Sequence, residues 1–183
     1  MDKVVMSIDA GGTKTKAALI DLDCNIVYEK VGGPGSPAVL QEEQAMKNIK
    51  DLIEKVIVEA EGKWEIIYIQ MGISALSAVE DKSFYERLLT KKYGIKVSIE
   101  NDAYMALYSI IQDKYDEGIV VLAGTGSAIC GKNKENVCLL NGGWGHLLTE
   151  DGSSYRVVID LIVRMIEDYE ADLPMCPLGD KLL

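Results

Sequence analysis

The chain has 183 residues, a formal net charge of −10 and a pI near 4.6, an acidic balance that argues against nucleic acid or an anionic membrane surface as its main partner. Hydrophobic residues make up 48% of the chain, enough for a packed core, and no apolar run approaches the roughly 18 residues of a membrane span. The four cysteines form no CxxC pair, which predicts scattered free thiols in a cytoplasmic protein.

The first half of the sequence predicts alternating strands and helices. Three short apolar runs predict strands, at 3–8, 16–21 and 25–31. Ser36 is a good N-cap and Pro37 suits a first helical position, so the apolar spacing that follows predicts a helix over 37–61. The later elements predicted in the same way are a strand at 65–74, a helix at 81–94, a strand at 95–102 and a helix at 103–111. The order β-β-β-α-β-α-β-α indicates an α/β fold.

The pattern restarts in the second half of the sequence. "GIVVLAGTGSAICGKN", residues 118–133, predicts a strand, a glycine-rich turn and a second strand, and "NVCLLN" predicts a third. Apolar residues at helical spacing then predict a helix over 154–169. This second β-β-β-α unit stops there, so we expect its sheet to keep an open edge and an uncovered apolar face. We divide the chain into a first lobe at 1–117 and the start of a second, similar lobe at 118–183.

Two glycine-rich loops occupy equivalent places, each between the first two strands of its unit. They are Gly11-Gly12-Thr13-Lys14-Thr15, followed by Lys16, and Gly124-Thr125-Gly126-Ser127. Glycines let backbone N–H groups approach phosphate oxygens, while hydroxyl and ammonium groups add donors. Neither loop contains GxxxxGK[ST], and isoleucine at position 129 breaks the GxGxxG pattern in the second. Each loop alone is compatible with an ordinary tight turn, but two facing loops could hold one triphosphate.

Asp9 and Asp102 both stand at the C-terminal end of a predicted strand, where open α/β sheets bind their ligands. One carboxylate of such a pair could hold Mg²⁺, and the other could orient and deprotonate an attacking hydroxyl. For Asp102, which directly precedes a predicted helix, a capping role is an equal alternative.

A further glycine-rich segment surrounds Trp144. "NGGWGHLLTEDGSS", residues 141–154, places Gly142, Gly143 and Gly145 on either side of this tryptophan. An aromatic face beside flexible backbone suits stacking on a sugar or a base, whereas a tryptophan packed in a turn is the alternative interpretation.

Four motifs together resemble one known family. "IDAGGTKTK", "NDA", "AGTGS" and "GGWGHLLTEDGS" are similar, in this order, to motifs of the N-acetylglucosamine kinase-like proteins in the BadF/BadG/BcrA/BcrD ATPase family. That family belongs to the actin, Hsp70 and sugar-kinase superfamily, and the resemblance runs from about residue 4 to 169. It implies two ribonuclease-H-like (actin-like ATPase) lobes with mixed sheets, ATP and Mg²⁺ in the cleft, and a small sugar or amino sugar as substrate.

The resemblance also implies a role for each matching residue. The metal ion lies near Asp9, and Asp102 is the base that takes the proton from the sugar 6-hydroxyl. The residues that face the phosphates are Gly11, Gly12, Thr13 and Lys14 in the first loop and Gly124, Thr125, Gly126 and Ser127 in the second. The sugar pocket is lined by Gly143, Trp144 and Gly145.

Two substrate-binding positions depart from the family pattern. Ser36 stands where members commonly carry a sugar-contacting asparagine, and Glu150 stands where they carry a sugar-binding aspartate. Both changes weaken the expectation of N-acetylglucosamine itself. A full member also carries a later glycine-rich adenosine-binding motif, so we expect this chain to be the N-terminal part of a longer kinase. By itself we expect it to be inactive and to self-associate as a homo-oligomer.

Two other functions stay open within the same resemblance. Some family members are ATPase activators of a dehydratase or reductase, and they carry a cluster-ligating cysteine just before the second GTG. This chain has Val121-Leu122-Ala123 at that place, which makes the activator the weaker alternative. A non-catalytic sugar-binding sensor is the third alternative, and the presence of Asp9 and Asp102 argues against it.

Overall fold

The computed structural model describes residues 1–112, 114–124, 126–145, 147–148, 151–174 and 176–181. The chain divides into two compact units, Met1–Tyr108 and Ser109–Leu183. The lobe boundary predicted after residue 117 falls inside the second of these units, and as a boundary between functional lobes it stays a prediction.

The first unit contains five strands, two helices and most of a third. Their bounds are β1 Asp2–Ala10, β2 Thr15–Asp21, β3 Ile26–Gly32, α1 Glu42–Ala60, β4 Trp64–Ile73, α2 Lys82–Tyr93, β5 Lys96–Asn101 and α3 Asp102–Ile111. A short 3₁₀ turn, Leu76–Ala78, lies between β4 and α2. The predicted order β-β-β-α-β-α-β-α is therefore confirmed.

The five strands form one mixed sheet in the order β3-β2-β1-β4-β5. The first three strands are antiparallel neighbours, whereas β4 pairs parallel with β1 and β5 pairs parallel with β4. This arrangement puts β1 in the centre and brings the carboxyl ends of β1, β4 and β5 to the same edge of the sheet. Open α/β sheets bind their ligands at such an edge.

Alternation along the strands produces the core of the first unit. On β1 the residues Val4, Met6 and Ile8 are at most 1% exposed, because every second side chain points to the same face of the sheet. Helix α1 belongs to the same core and contributes seven buried residues at helical spacing: Ala45, Met46, Ile49, Leu52, Ile53, Val56 and Ala60.

Helix α1 begins at Glu42, so the predicted start at Pro37 is wrong. Residues 37–40 form a single turn, in which the N–H groups of Val39 and Leu40 each donate to the Ser36 carbonyl at 3.3 Å. Gln41 is extended, with φ −61° and ψ 144°, and it separates this turn from the helix. The Ser36 hydroxyl accepts from the Ala38 N–H at 3.2 Å, so Ser36 caps the short turn instead of α1.

Side chains of α2 form hydrogen bonds with backbone groups at the outer edge of β5. Thr90 Oγ1 accepts from the Val97 N–H at 3.0 Å, and Glu86 Oε1 accepts from the Ile99 N–H at 2.8 Å. Lys82 Nζ donates to the Ile99 carbonyl at 3.3 Å. These three residues recur every four positions, about 6 Å along a helix, which nearly matches the spacing of alternate residues on a strand. They provide hydrogen-bond partners for backbone groups at an edge where a sixth strand would otherwise pair.

The second unit repeats the opening pattern of the first. Its strands form an antiparallel sheet in the order β6-β7-β8, and the bounds are β6 Gly118–Ala123, β7 Ser127–Lys132, β8 Cys138–Gly142 and α4 Ser154–Glu170. Ser153 caps α4 by accepting from the Arg156 N–H at 3.1 Å. The predicted second β-β-β-α unit is confirmed. In the tail, predicted as a loop, Gly179–Lys181 form a 3₁₀ turn.

One face of the second sheet is apolar and exposed. The register places Ile119 and Leu139 in one row, and both are 72% exposed. Val121 lies two residues along the same face and is 66% exposed. On the opposite face Cys130 is fully buried. The sequence predicted an uncovered apolar face in this unit, and these exposures agree with that expectation.

Candidate active site

Residues predicted to carry the chemistry meet where β1, β4 and β5 end. The register pairs Asp9 with Gly72 and Gly72 with Glu100, so these three residues form one row across the parallel strands. Asp102 follows directly after β5 as the first residue of α3. It lies close enough to Asp9 for the negative charge of Asp9 to act on it. The structure thus brings together the two carboxylates that the sequence singled out.

Asp102 is half-buried, and its surroundings favour a proton-accepting role. Burial raises the pKa of its carboxyl, and the charge of Asp9 raises it further. The Ala103 N–H donates to Asp102 Oδ1 at 2.9 Å, which opposes part of that rise. Asn101 Oδ1 accepts from the same N–H at 2.9 Å. A carboxylate with a raised pKa is a stronger base, and the arrangement therefore suits general-base chemistry.

The first glycine-rich loop is a tight turn that presents exposed residues. The Gly11 N–H donates to the Lys14 carbonyl at 3.0 Å, and Gly12, Thr13 and Lys14 are exposed. Exposed backbone and side-chain donors in a turn are what a phosphate-binding loop requires. Thr15 differs from Thr13, because it is fully buried and its Oγ1 has no hydrogen-bond partner.

Lys16 does not add a free cation to this loop. Its Nζ forms an ion pair with Glu29 Oε1, from the neighbouring strand β3. Of the two lysines in the motif, Lys14 is thus the one available to a phosphate.

Two segments that sequence reasoning missed support the first loop. The Gly35 N–H donates to the Gly11 carbonyl at 3.0 Å, and the Ser74 N–H donates to the Ala10 carbonyl at 3.1 Å. A Cβ at Gly35 would lie 2.5 Å from Thr15 Oγ1, so a larger residue could not occupy this position without displacing Thr15. The glycines of "VGGPGSP" signalled only a break in the chain, and nothing local in the sequence shows which loop Gly35 contacts.

Ser36 is buried beside this support. Its side chain is 1% exposed, and its hydroxyl donates to the Ser74 carbonyl at 3.2 Å while accepting from the Ala38 N–H. The hydroxyl therefore already has protein partners for both of its hydrogen-bonding roles. Its contact with a sugar stays a prediction.

In the second unit the two predicted glycine-rich segments lie side by side. The Gly143 N–H donates to the Ser127 carbonyl at 3.0 Å, and the Gly124 N–H donates to the Gly126 carbonyl at 2.9 Å. Ser154, at the start of α4, donates its N–H and its hydroxyl to the Gly124 carbonyl at 2.9 and 3.0 Å. The N-terminus of a helix therefore adjoins this loop, as in many phosphate sites.

The residues of the second unit that are predicted to line a sugar pocket are accessible. Trp144 is 73% exposed, and its neighbours Gly143 and Gly145 adopt the left-handed backbone region with φ of +72° and +91°. An exposed indole is free for stacking, which disfavours the alternative of a packed tryptophan. Thr125 and Glu150, predicted to contact phosphate and sugar, lie outside the described residues.

A magnesium ion fits the carboxylates of the first unit. Mg²⁺ bound to a nucleotide takes one or two protein carboxylates, and phosphates and waters supply its other ligands. Asp9 is exposed at the end of β1 and needs no further acidic partner for that purpose. Within the described part of the chain, no group of three or more His, Cys, Asp or Glu residues could hold a metal ion by itself.

Two further features of the described residues are the character of their helices and the state of their cysteines. None of those helices combines the length and the apolar character required to cross a bilayer. Cys24, Cys130, Cys138 and Cys176 form no disulfide bonds, as predicted.

Two known proteins with similar sequences are named as kinases of N-acetylated amino sugars. An N-acetylmuramic acid/N-acetylglucosamine kinase from Clostridium acetobutylicum is 33% identical over 174 residues, which cover 92% of this chain and 55% of that kinase. An N-acetyl-D-glucosamine kinase from Dictyostelium discoideum is 30% identical over 193 residues, which cover 99% of this chain and 60% of that kinase. The chain thus spans little more than half the length of the curated relatives it matches.

A solved structure and a family pattern extend this comparison. A protein from Chromobacterium violaceum, provisionally named an N-acetylglucosamine kinase, superposes with a TM-score of 0.74 at 18% identity, over 98% of this chain and 62% of that chain. This likeness confirms the predicted actin-like ATPase fold. The pattern of the BadF/BadG/BcrA/BcrD ATPase family matches residues 7–171, most of the sequence. The chain therefore belongs to the BadF/BadG/BcrA/BcrD ATPase family.

Proposed function

We propose that the full-length protein transfers the γ-phosphoryl group of ATP to a hydroxyl of a sugar or amino sugar in the cytoplasm. The observation that carries this proposal is the proximity of Asp9 and Asp102 at the carboxyl ends of parallel strands, beside an exposed glycine-rich turn. The kinase names of the curated relatives support the reaction class. A chain whose four cysteines form no disulfide is compatible with a reducing compartment.

Asp102 acts as the general base in this proposal. It accepts the proton of the attacking sugar hydroxyl while that oxygen bonds to the γ-phosphorus and the bond from phosphorus to the ADP oxygen breaks. Its raised pKa strengthens the base, and its half-buried position keeps the carboxylate beside Asp9. Such a base typically contributes about 10²–10⁴-fold to the rate.

The glycine-rich loop of each unit is assigned to phosphate binding. Gly11, Gly12, Thr13 and Lys14 supply donors from the first unit, and Gly124, Thr125, Gly126 and Ser127 supply them from the second. The exposure of Gly12, Thr13 and Lys14 and the Ser154 contact behind Gly124 support this assignment. Asp9 would hold Mg²⁺, which supplies charge neutralisation at the phosphates when it is bound.

The sugar is expected against Trp144, with Gly143 and Gly145 allowing close approach. Ser36 and Glu150 replace the asparagine and aspartate of the family pattern, and we expect weaker discrimination of the N-acetyl group as a result. The buried hydroxyl of Ser36 supports this expectation, because it already donates to Ser74 and accepts from Ala38 and so offers the sugar less than an asparagine side chain would.

An acceptor panel tests the proposal against its two alternatives. The full-length protein is incubated with ATP, Mg²⁺ and hexoses, amino sugars or N-acetylated amino sugars, and both ADP and sugar phosphate are measured. A kinase releases ADP only with a sugar and forms the sugar phosphate in equal amount. ADP release without any sugar would favour an ATPase activator, and sugar binding without ADP release would favour a sensor. Sharp selectivity for N-acetylglucosamine over glucosamine would contradict the expected loose discrimination.

A further inference from the structure

Gly72 lies in the middle of the row of residues that crosses β1, β4 and β5 at the candidate site. It is a buried residue near the end of β4, paired on one side with Asp9 and on the other with Glu100. A Cβ placed on Gly72 would lie 3.2 Å from Met105 Cγ and 3.5 Å from the Cα of Asp102. The first turn of α3 therefore rests directly on the backbone of β4.

This contact involves the backbone of the predicted base. Carbon atoms in proteins rarely approach to 3.2 Å, since their best separation is about 3.5–4.0 Å. A side chain at Gly72 would thus push against Met105 and the start of α3. Asp102 Oδ1 is bonded to the Ala103 N–H at 2.9 Å, within the same turn. The carboxylate is therefore tied to the helix start and would move with it.

We propose that Gly72 is a positioning residue for Asp102. The lack of a side chain at Gly72 sets how closely the start of α3 approaches the sheet, and with it the distance between the carboxylates of Asp102 and Asp9. This inference rests on the proposed function, because it assigns Gly72 a role in placing the base of the phosphoryl transfer.

A matched glycine separates this role from the general effect of adding a methyl group to a strand. Gly131 lies within β7, and a Cβ there would have its nearest atoms at 3.5 and 3.6 Å, which are ordinary contacts. Gly131 lies outside all three glycine-rich segments of the proposed site. Gly131→Ala therefore controls for the change of residue, and Met105→Ala removes the Cγ atom that a new Cβ at position 72 would meet.

The experiment compares four variants of the full-length protein: Gly72→Ala, Gly131→Ala, Met105→Ala and the double variant Gly72→Ala/Met105→Ala. Each maximal rate is divided by the concentration of ATP-binding sites titrated in the same preparation, which gives a kcat that does not count misfolded protein. We expect Gly72→Ala to lower kcat by about tenfold, since a 1 Å misplacement near the chemistry can cost ~10²-fold. KM for ATP and for the sugar should stay within about twofold, because binding groups are untouched. Gly131→Ala should match the wild type.

Rescue is the sharpest readout, because a merely structural role would not produce it. The double variant should recover most of the kcat of Met105→Ala alone. Equal kcat in Gly72→Ala and Gly131→Ala would overturn the inference, as would a rise in KM at unchanged kcat. Failure of Gly72→Ala to fold while Gly131→Ala folds would also overturn it, because the glycine would then serve the fold. A wild type without sugar-dependent ADP release would instead remove the proposed function itself, and this inference with it.

Discussion

The two units start with the same order of strands and helix, but they differ in how they bury apolar side chains. In the first unit, α1 buries seven residues and the central strand β1 is paired on both sides. In the second, α4 buries only Asp168, which pairs with Arg164 at 2.9 Å. Ile119 and Leu139 remain 72% exposed on the sheet of that unit.

The difference teaches that a β-β-β-α pattern predicts elements without predicting a core. In the first unit the chain adds β4 beside β1 and β5 beside β4, and these strands extend the buried face with Ile69, Met71 and Ile99. In the described part of the second unit, β6 pairs with β7 alone. The parallel strands of the first unit therefore both complete its core and create the edge where Asp9 and Asp102 meet.

Matched isoleucines in the two sheets give the largest expected contrast. Ile69 in β4 is fully buried, whereas Ile119 in β6 is 72% exposed. Ile69→Ala should lower the free energy of unfolding by about 2–5 kcal/mol, because it removes buried methyl groups and leaves a cavity. Ile119→Ala should change it by about 0.5 kcal/mol or less. Chemical denaturation of the purified chain measures both, and equal losses would show that the second sheet is covered in solution.

The hydrogen bonds between α2 and the edge of β5 should also contribute measurably to the stability of the first unit. Thr90→Val keeps the shape of the side chain but leaves the Val97 N–H without its partner, and Val97 is only 3% exposed. We expect a loss of about 1–3 kcal/mol, the usual cost of an unsatisfied buried donor. Thr90→Ser retains the hydroxyl and serves as the control. A Thr90→Val protein as stable as Thr90→Ser would mean that water replaces the hydroxyl at this edge.

In the first unit, the strained backbone of Ala75, near the candidate site, should lower the free energy of unfolding. Ala75 follows β4 with φ +54°, a left-handed conformation that disfavours a Cβ by about 1–2 kcal/mol. Ala75→Gly removes that strain, but it also increases the entropy of the unfolded chain by about 0.4–1 kcal/mol. The net result should be a gain of about 0.5–1 kcal/mol in unfolding free energy. Thermal unfolding tests this, and a destabilised glycine variant would show that Ala75 is not strained.

Asp102 should make stability depend on pH. Its pKa is raised in the folded protein, so the folded state holds this proton more tightly than the unfolded chain does. The stabilisation is therefore present at acidic pH and is lost as the pH rises through the folded pKa. Asp102→Asn should be more stable than the wild type at pH ~7, and the difference should disappear below pH ~4, near the ordinary pKa of a carboxyl group. Asp23→Asn, at an exposed turn, controls for the lost charge, and an identical profile would refute the expectation.

Local patterns predicted the elements of both units, but they could not predict contacts between distant segments. Short apolar runs located the eight strands of the described residues closely, and the helix predicted at 81–94 matches α2. The capping signal at Ser36 was real, yet it belonged to a separate turn because Gln41 is extended. Gly35 and Gly72 were missed for a different reason. Their importance lies in what a Cβ would touch, and those neighbours come from other parts of the chain.

The candidate site was predictable to the extent that its residues end strands or fill turns. Asp9 and Asp102 could be paired from sequence because the carboxyl ends of parallel strands meet at one edge. The raised pKa of Asp102 could not be predicted from the sequence, because it depends on burial and on the distance to Asp9. Whether the two glycine-rich loops share one triphosphate stays a prediction.

The most direct test of the proposed phosphoryl transfer is the turnover of Asp102→Asn in the full-length protein, measured as sugar-dependent ADP release beside ATP affinity. Asparagine keeps the size of the side chain and cannot accept the proton of the sugar hydroxyl. We expect kcat to fall by about 10²–10⁴-fold, while the Kd for ATP stays within about twofold of the wild type. Near-normal turnover by Asp102→Asn would contradict the assignment of Asp102 as the base.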